Sequence, residues 1–320
     1  MVQSAQPRAV APSADSRDAL AHVHSVHDLI SLGVARLVEA DLAFGHGTDN
    51  PLDEATYLVL HALNLPVAQP SSHLQKRVTA RQVRAALQLL ERRVRERCPA
   101  AYLTREAWLG SHRFYVDERV IVPRSYLAEW IRQDLCVWIP QLQRVEHVLE
   151  LCTGSGCLAV LLAKALPRAQ IDATDISKPA LAVARRNLVR YRLTKRIRLV
   201  ESDLFKSLGR KRYDLIVANP PYVTARAMAR LPLEYRHEPP LALSGGRDGM
   251  DFLRRILAQA PSHLRRHGAL VMEIGHARKR VERAFPRTAF TWLETSAGDD
   301  AIFLLQRDEI PQLAILAGLA

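Results

Sequence analysis

Apolar residues set the first divisions along the chain. Val26, Leu29, Ile30, Val34, Leu37 and Val38 recur at intervals of three and four, the spacing of one buried helix face. A second helix start is marked by Pro51 behind Asp49-Asn50, because proline fits a first turn whose N–H has no partner and Asp or Asn caps it. That helix carries Leu52, Ala55, Val59, Ala62 and Leu63 and stops at Leu65-Pro66. A third is expected over residues 79–97, with Val83, Leu87, Leu90 and Val94 on its buried stripe and arginines opposite. Residues 25–100 therefore read as a small helical domain, and the Ala/Ser/Pro-rich residues 1–24 as a disordered tail.

The helical period is lost at Cys98-Pro99. Spaced aromatic and β-branched residues follow, from Tyr102 to Val122, with Gly110-Ser111 and Asp117-Glu118 as turn candidates, so residues 101–125 are expected to form a β-hairpin linker. After a helix over 126–138, strand patterns at 145–151, 171–174, 197–201, 213–218 and 269–274 alternate with helix patterns at 157–166, 179–191, 250–266 and 277–285. Two last strand runs, 289–294 and 301–306, suit an antiparallel closing pair. This alternation predicts an α/β domain over 126–308, an open and mostly parallel sheet with helices on both faces. Residues 309–320 read as a frayed tail.

Composition narrows the class. The 320 residues, 48% of them hydrophobic, suffice for one sizeable core and a smaller second unit. No apolar run approaches the ~20 residues that span a bilayer, and the first residues lack the hydrophobic stretch of a signal peptide. A cytoplasmic protein with no membrane partner is the expectation. Cys98, Cys136, Cys152 and Cys157 form no CxxC pair and have no histidine at zinc spacing, so reduced thiols and no metal are expected. The net charge of +12 is partly concentrated in Lys76, Arg77, Arg81, Arg84, Arg92, Arg93, Arg95 and Arg97. Such a run fits either a solvated helix face or contact with RNA.

The candidate chemistry lies at the carboxyl ends of the predicted strands, where ligands bind in sheets of this type. The first strand ends in Cys152-Thr153-Gly154-Ser155-Gly156, the second in Asp175, the third in Ser202-Asp203-Leu204-Phe205 and the fourth in Asn219-Pro220-Pro221-Tyr222. A glycine loop with an acid ~20 residues on suits any ligand containing adenosine, because the backbone must approach closely and a carboxylate must accept from the ribose hydroxyls. The loop therefore leaves a nicotinamide cofactor and S-adenosylmethionine both open, and Asp175 could instead cap the helix beginning near Ser177.

Asn219-Pro220-Pro221-Tyr222 decides for S-adenosylmethionine. An amide or adenine amino nitrogen is a poor nucleophile, since its lone pair is delocalised into the π-system. The Asn219 side-chain oxygen and the Pro220 carbonyl can accept its two N–H groups and draw that pair out of conjugation, on a backbone stiffened by two prolines. Tyr222 offers a flat face for a planar group.

At these residues the chain closely resembles the protein-(glutamine-N5) methyltransferases, which modify the amide side chain of translation proteins. The likeness covers about residues 25 to 307. One branch of that family acts on the Gly-Gly-Gln loop of release factors and another on ribosomal protein L-three of the large subunit. The second branch is favoured by His46-Gly47-Thr48-Asp49-Asn50, Asp53-Glu54-Ala55, Phe114 to Arg119, Val122-Pro123-Arg124-Ser125, Leu151 to Cys157, Leu231-Pro232 to Glu238-Pro239 and Gly246-Arg247-Asp248-Gly249. The resemblance implies a class I methyltransferase fold, Rossmann-like, with a seven-stranded sheet and a substrate-recognising helical domain. It also implies S-adenosylmethionine contacts by Cys152, Thr153, Gly154, Ser155, Gly156, Asp175, Phe205 and Asn219, an amide held by Asn219, Pro220, Pro221 and Tyr222, and closure of the site by Phe114 and Pro123-Arg124. Glu150 stands where the family usually has Asp, which could shift a cofactor contact, and Tyr126 where that branch often has Pro. A DNA adenine amino-methyltransferase shares the tetrapeptide and the motif order, but the residues after it are used to complete the sheet rather than to build a base-recognition domain. A dehydrogenase or a non-catalytic RNA-binding module accounts for less of the pattern.

Overall fold

The computed structural model describes residues 22–139, 142–296 and 298–311, which fall in two compact units divided between Thr104 and Arg105. The tails expected over 1–24 and 309–320 lie outside these residues except at their inner ends, which are not tails. Val23 is buried, the His24 carbonyl accepts from the Val78 N–H, and Ile310 packs into a core.

In the first unit, helix α1 (Val26–Glu39) opens with a capping box in which Ser25 and Asp28 satisfy each other's backbone N–H groups. Helix α2 (Pro51–Ala62) is capped by Asn50, and α3 (Ala80–Glu96) by a second box of Thr79 and Gln82. Leu29, Leu37, Leu58, Leu87 and Leu90 fill the space between them, each fully buried leucine contributing about 1.5–3 kcal/mol of transfer free energy. Gly33 permits the close approach: a Cβ there would lie 3.1 Å from that of Ala55 and 3.2 Å from Leu90.

Two expectations need correction in this unit. Arg93 is not on the solvent face of α3; it is fully buried, with Nε 2.6 Å from Glu54 and a terminal nitrogen 3.0 Å from the Ala43 carbonyl. The helical period places position 93 near the apolar stripe, and buried Glu54 supplies the compensating charge. Residues 101–104 are not hairpin but part of helix α4 (Ala100–Thr104), which is too short to display a period.

The second unit begins with a short hairpin, β1 (Ala107–Leu109) and β2 (His112–Phe114), turning at Gly110-Ser111 as expected. Asp117-Glu118 makes no second hairpin. The Asp117 carboxylate instead accepts from the Tyr115 hydroxyl and the Arg119 guanidinium, and no strand runs from 115 to 126. The helix expected over 126–138 is two pieces, α5 (Leu127–Gln133) and α6 (Leu135–Trp138), broken at Asp134.

The main sheet contains β3 (His147–Leu151), β4 (Gln170–Asp175), β5 (Ile197–Glu201), β6 (Tyr213–Ala218), β7 (Leu264–Glu273), β8 (Thr291–Thr295) and β9 (Gly298–Gln306). Their order is β5-β4-β3-β6-β7-β9-β8, with β3 to β7 parallel and the last two antiparallel. Helices α7 (Cys157–Ala165), α8 (Lys178–Arg190), α9 (Ala225–Met228), α10 (Pro240–Leu243), α11 (Asp251–His263) and α12 (Arg278–Ala284) complete the unit. Successive residues of β6 enter opposite cores, Leu215 and Val217 beside α7 and Ile216 and Ala218 beside α11, so an unbroken apolar run is what two covered faces require. The helix expected over 250–266 ends at His263, and β7 starts five residues earlier than its apolar run suggests, because Leu264 already pairs with Tyr213. The chain leaves β3 for β4 on one side while β6 lies on the other. The ends of β3, β4 and β6 therefore surround the point where strand order reverses.

Candidate active site

The loop after β3 runs through three left-handed residues, Cys152 (φ 59°), Gly154 (φ 52°) and Gly156 (φ 76°). At Gly154 this conformation sends the N–H to an Asp175 carboxylate oxygen at 2.9 Å, tying the loop to the end of β4. Gly156 lets α7 start close to α8, since a Cβ there would lie 3.1 Å from that of Ala184. Asp175 does not cap α8: Ser177 does, its hydroxyl accepting from the Ala180 N–H, while the other Asp175 oxygen accepts from the Ser177 N–H at 2.9 Å. Burial raises the Asp175 pKa, against the opposing pull of the Ser177 and Gly154 N–H groups.

Asp175 is the acid of a cavity walled by Gly154, Cys152, Ile176, Leu204, Leu241 and Phe252, with Arg119 and the Arg255–Asp203 pair also in its lining. A second cavity is lined by Pro220, Tyr222, Arg124, Tyr235 and Glu273. Ile121, Asn219, Pro221 and Ala242 belong to both. Asn219 thus stands in the wall between them, and its amide makes no hydrogen bond to any described residue. Arg124 is held by Glu238 through two contacts of 2.5 and 2.7 Å, and the same buried carboxylate accepts the Val122 N–H at 2.9 Å. This fixes the segment that carries Ile121 into both cavities.

The structure brings Cys152, Gly154, Asp175, Asn219, Pro220, Pro221, Tyr222 and Arg124 to these cavities, but not the other residues expected there. Thr153 is buried and donates to Glu150 at 2.5 Å, and Ser155 is buried with its carbonyl accepting from Asn187. With Gly156 they shape the loop from behind. Phe205 points into the core and stacks on His263 at 4.6 Å, because Leu204, at φ 52°, turns the chain and takes the cavity wall itself. Phe114 occupies the inward position of β2 and packs on Tyr191 at 5.4 Å, away from both cavities. Glu150 faces Thr153 rather than the cavity, and burial pushes its pKa up to about 8.

The sequence reading missed Glu273, Ile176, Phe252, Arg255 and Arg119. Glu273 had a signal, a carboxylate at the carboxyl end of the fifth strand. Phe252 and Arg255 lie on α11, and no local pattern says that this helix borders the site.

A carboxylate with unused acceptor capacity, an apolar slot for a flat ring and a close backbone approach at Gly154 fit S-adenosylmethionine. Residues 135–231 match the methyltransferase small domain model, and residues 29–104 match the PrmC N-terminal domain model. Fold and site together define a class I S-adenosylmethionine-dependent methyltransferase. A ribosomal protein uL3 glutamine methyltransferase of Burkholderia pseudomallei (strain K96243) is 52% identical over 91% of this chain and 97% of its own length. Those of Bordetella pertussis (strain Tohama I) and Neisseria meningitidis serogroup B are 52% and 50% identical, over 90% and 89% of this chain and 97% and 94% of their own. The chain belongs to this family, the ribosomal protein uL3 glutamine methyltransferases. Among the described residues no helix is long and apolar enough to cross a membrane, and no side-chain cluster suits a metal ion.

Proposed function

We propose that this enzyme methylates the side-chain amide nitrogen (N5) of a glutamine in ribosomal protein uL3, the large-subunit protein L-three. The observation that carries the reading is the meeting of two cavities at Asn219, one with an acid for adenosine and the other with an aromatic face for an amide. S-adenosylmethionine supplies a methyl group activated by its positive sulfur. The chain's own part is to orient the acceptor. The Asn219 Oδ1 and the Pro220 carbonyl take the two amide N–H groups, and Tyr222 supports the amide plane, so the nitrogen lone pair faces the shared opening at Asn219 and Pro221. Work on a ribosomal protein implies a cytoplasmic enzyme.

Mass spectrometry of proteins from cells lacking this enzyme checks the substrate. One uL3 glutamine should lose a single methyl while the release-factor Gly-Gly-Gln keeps its own. The opposite pattern moves the activity to release factors, and methyl loss from DNA adenine alone moves it to DNA.

Ribosomal RNA is the second partner we propose, for a structural reason. Arg92 and Arg95 pair with Glu96 and Arg93 is internal, but Lys76, Arg77, Arg81 and Arg84 are exposed and make no ion pair with a described residue. Reversing Arg81 and Arg84 to Glu should leave methylation of free uL3 unchanged. Binding to rRNA-containing assembly particles should weaken and show a shallower salt dependence. An unaltered salt slope refutes the RNA contact.

A further inference from the structure

Glu273 lies at the carboxyl end of β7, is 1% exposed, and plays no part in the mechanism above. Its two oxygens are unequally occupied. Oε2 accepts from the Ser125 hydroxyl at 2.5 Å and from the Leu127 N–H at 3.4 Å, whereas Oε1 has the Tyr222 hydroxyl at 3.4 Å, a long contact. Two residues on, the chain backs the same ring: a Cβ at Gly275 would sit 2.7 Å from Tyr222 Cε2. The Tyr222 hydroxyl therefore faces a carboxylate, and its ring edge a glycine, of one short segment.

We infer that Glu273 is a positioning residue for methyl transfer, which keeps the Tyr222 hydroxyl proton directed to its own Oε1 and away from the substrate amide. The inference rests on the proposed glutamine substrate. A hydroxyl free to donate to the amide carbonyl would strengthen amide resonance and withdraw the nitrogen lone pair that must attack the methyl. An ionised Glu273 prevents this by acting only as acceptor; a protonated one offers a competing donor and releases the tyrosine proton. Burial pushes the Glu273 pKa up to about 7, against the Ser125 and Tyr222 hydroxyls and the Leu127 and Tyr126 N–H groups, so the two forms exchange near neutrality. The other charged groups of the cavity, Arg124 and its partner Glu238, neutralise each other, and Tyr235 lies beside Arg124.

The test is kcat and KM for uL3 against pH in the wild type, Glu273→Gln, Tyr222→Phe and the double variant. In Glu273→Gln, the Ser125 and Leu127 donors hold the amide oxygen on their side and leave the NH2 facing Tyr222, a permanent copy of the protonated state. The wild type should lose kcat as pH falls through about 7. Glu273→Gln should show that lowered kcat at every pH, about tenfold down, as expected for one misdirected hydrogen bond, with KM little changed. In the Tyr222→Phe background the same substitution should cost nothing further, and the acid limb should be absent. An equal loss in both backgrounds, or a wild-type profile in Glu273→Gln, overturns the proposal. If Glu273→Gln does not fold, the wild-type and Tyr222→Phe profiles decide, and an acid limb that survives in Tyr222→Phe overturns it. Failure of the wild type to methylate uL3 would refute the function, not the role of Glu273.

Discussion

Asn219→Ala should lower kcat for uL3 methylation by about 10²–10³, the cost of removing one preorganised group that stabilises developing charge, while KM for uL3 moves far less. The reasoning starts from the amide. As its nitrogen pyramidalises, positive charge develops on the N–H groups, so an acceptor placed there binds the transition state better than the ground state. Asn219 is suited to this because its side chain bonds to no described residue and stands in the wall common to both cavities. For the same reason the substitution should leave melting temperature nearly unchanged, which separates it from a folding defect. Single-turnover rates with saturating uL3 check it. A normal rate would remove Asn219 from the mechanism, and a raised KM at unchanged kcat would reassign it to uniform binding. Tyr222→Phe should be milder than Tyr222→Ala, since the phenyl ring retains the flat face.

How much of this was legible in the sequence depended on whether a feature is local. The strands at 197–201 and 213–218 match the residues observed, the second because its unbroken apolar run from Leu215 to Ala218 is a local signal. Also local are the start of the second helix, where Asn50 of the pair Asp49-Asn50 is the cap, and the placing of Gly154, Asp175 and Asn219 at strand ends, whereas the cap at Ser177 stands where Asp175 was the alternative. The misplaced residues are those whose direction is set by packing. The resemblance places Phe205 and Phe114 at the site, yet a left-handed Leu204 and the inward face of β2 turn them into the core. Arg93 looked like one more solvated arginine because its partner, Glu54, is 39 residues away. Asn187 is comparable: fully buried, it bonds both backbone groups of Tyr115 and the Ser155 carbonyl, fastening the loop before the sheet to the glycine turn. No spacing in the sequence announces a bond across 72 residues.

Asp175→Ala should weaken S-adenosylmethionine binding by ~1.5–3 kcal/mol, the loss expected when a buried acceptor for hydroxyl donors is removed, or roughly tenfold to a hundredfold in Kd. Two effects combine. The carboxylate accepts from the Gly154 N–H on one oxygen and the Ser177 N–H on the other, with the Ile176 N–H also bonded to it, and the capacity that remains is what the ribose hydroxyls use. Alanine removes every acceptor, so the glycine loop loses its tether to β4 along with the ligand contact. Folding stability should change less than affinity, because burying this carboxylate already costs the protein and its removal offsets part of the lost backbone bonds. The pH dependence has a definite sign. Binding needs the ionised carboxylate, and burial raises its pKa, so affinity should decline on the acid side at a higher pH than an ordinary aspartate would give. Titration calorimetry from neutral to acid pH on the wild type, Asp175→Ala and Asp175→Asn checks both points. Asparagine keeps an oxygen for the Gly154 N–H but turns a donor toward one hydroxyl, so it should bind between the other two and lose this acid limb. Equal affinity in all three proteins would place the adenosine elsewhere and leave Asp175 as no more than the tether of the glycine loop.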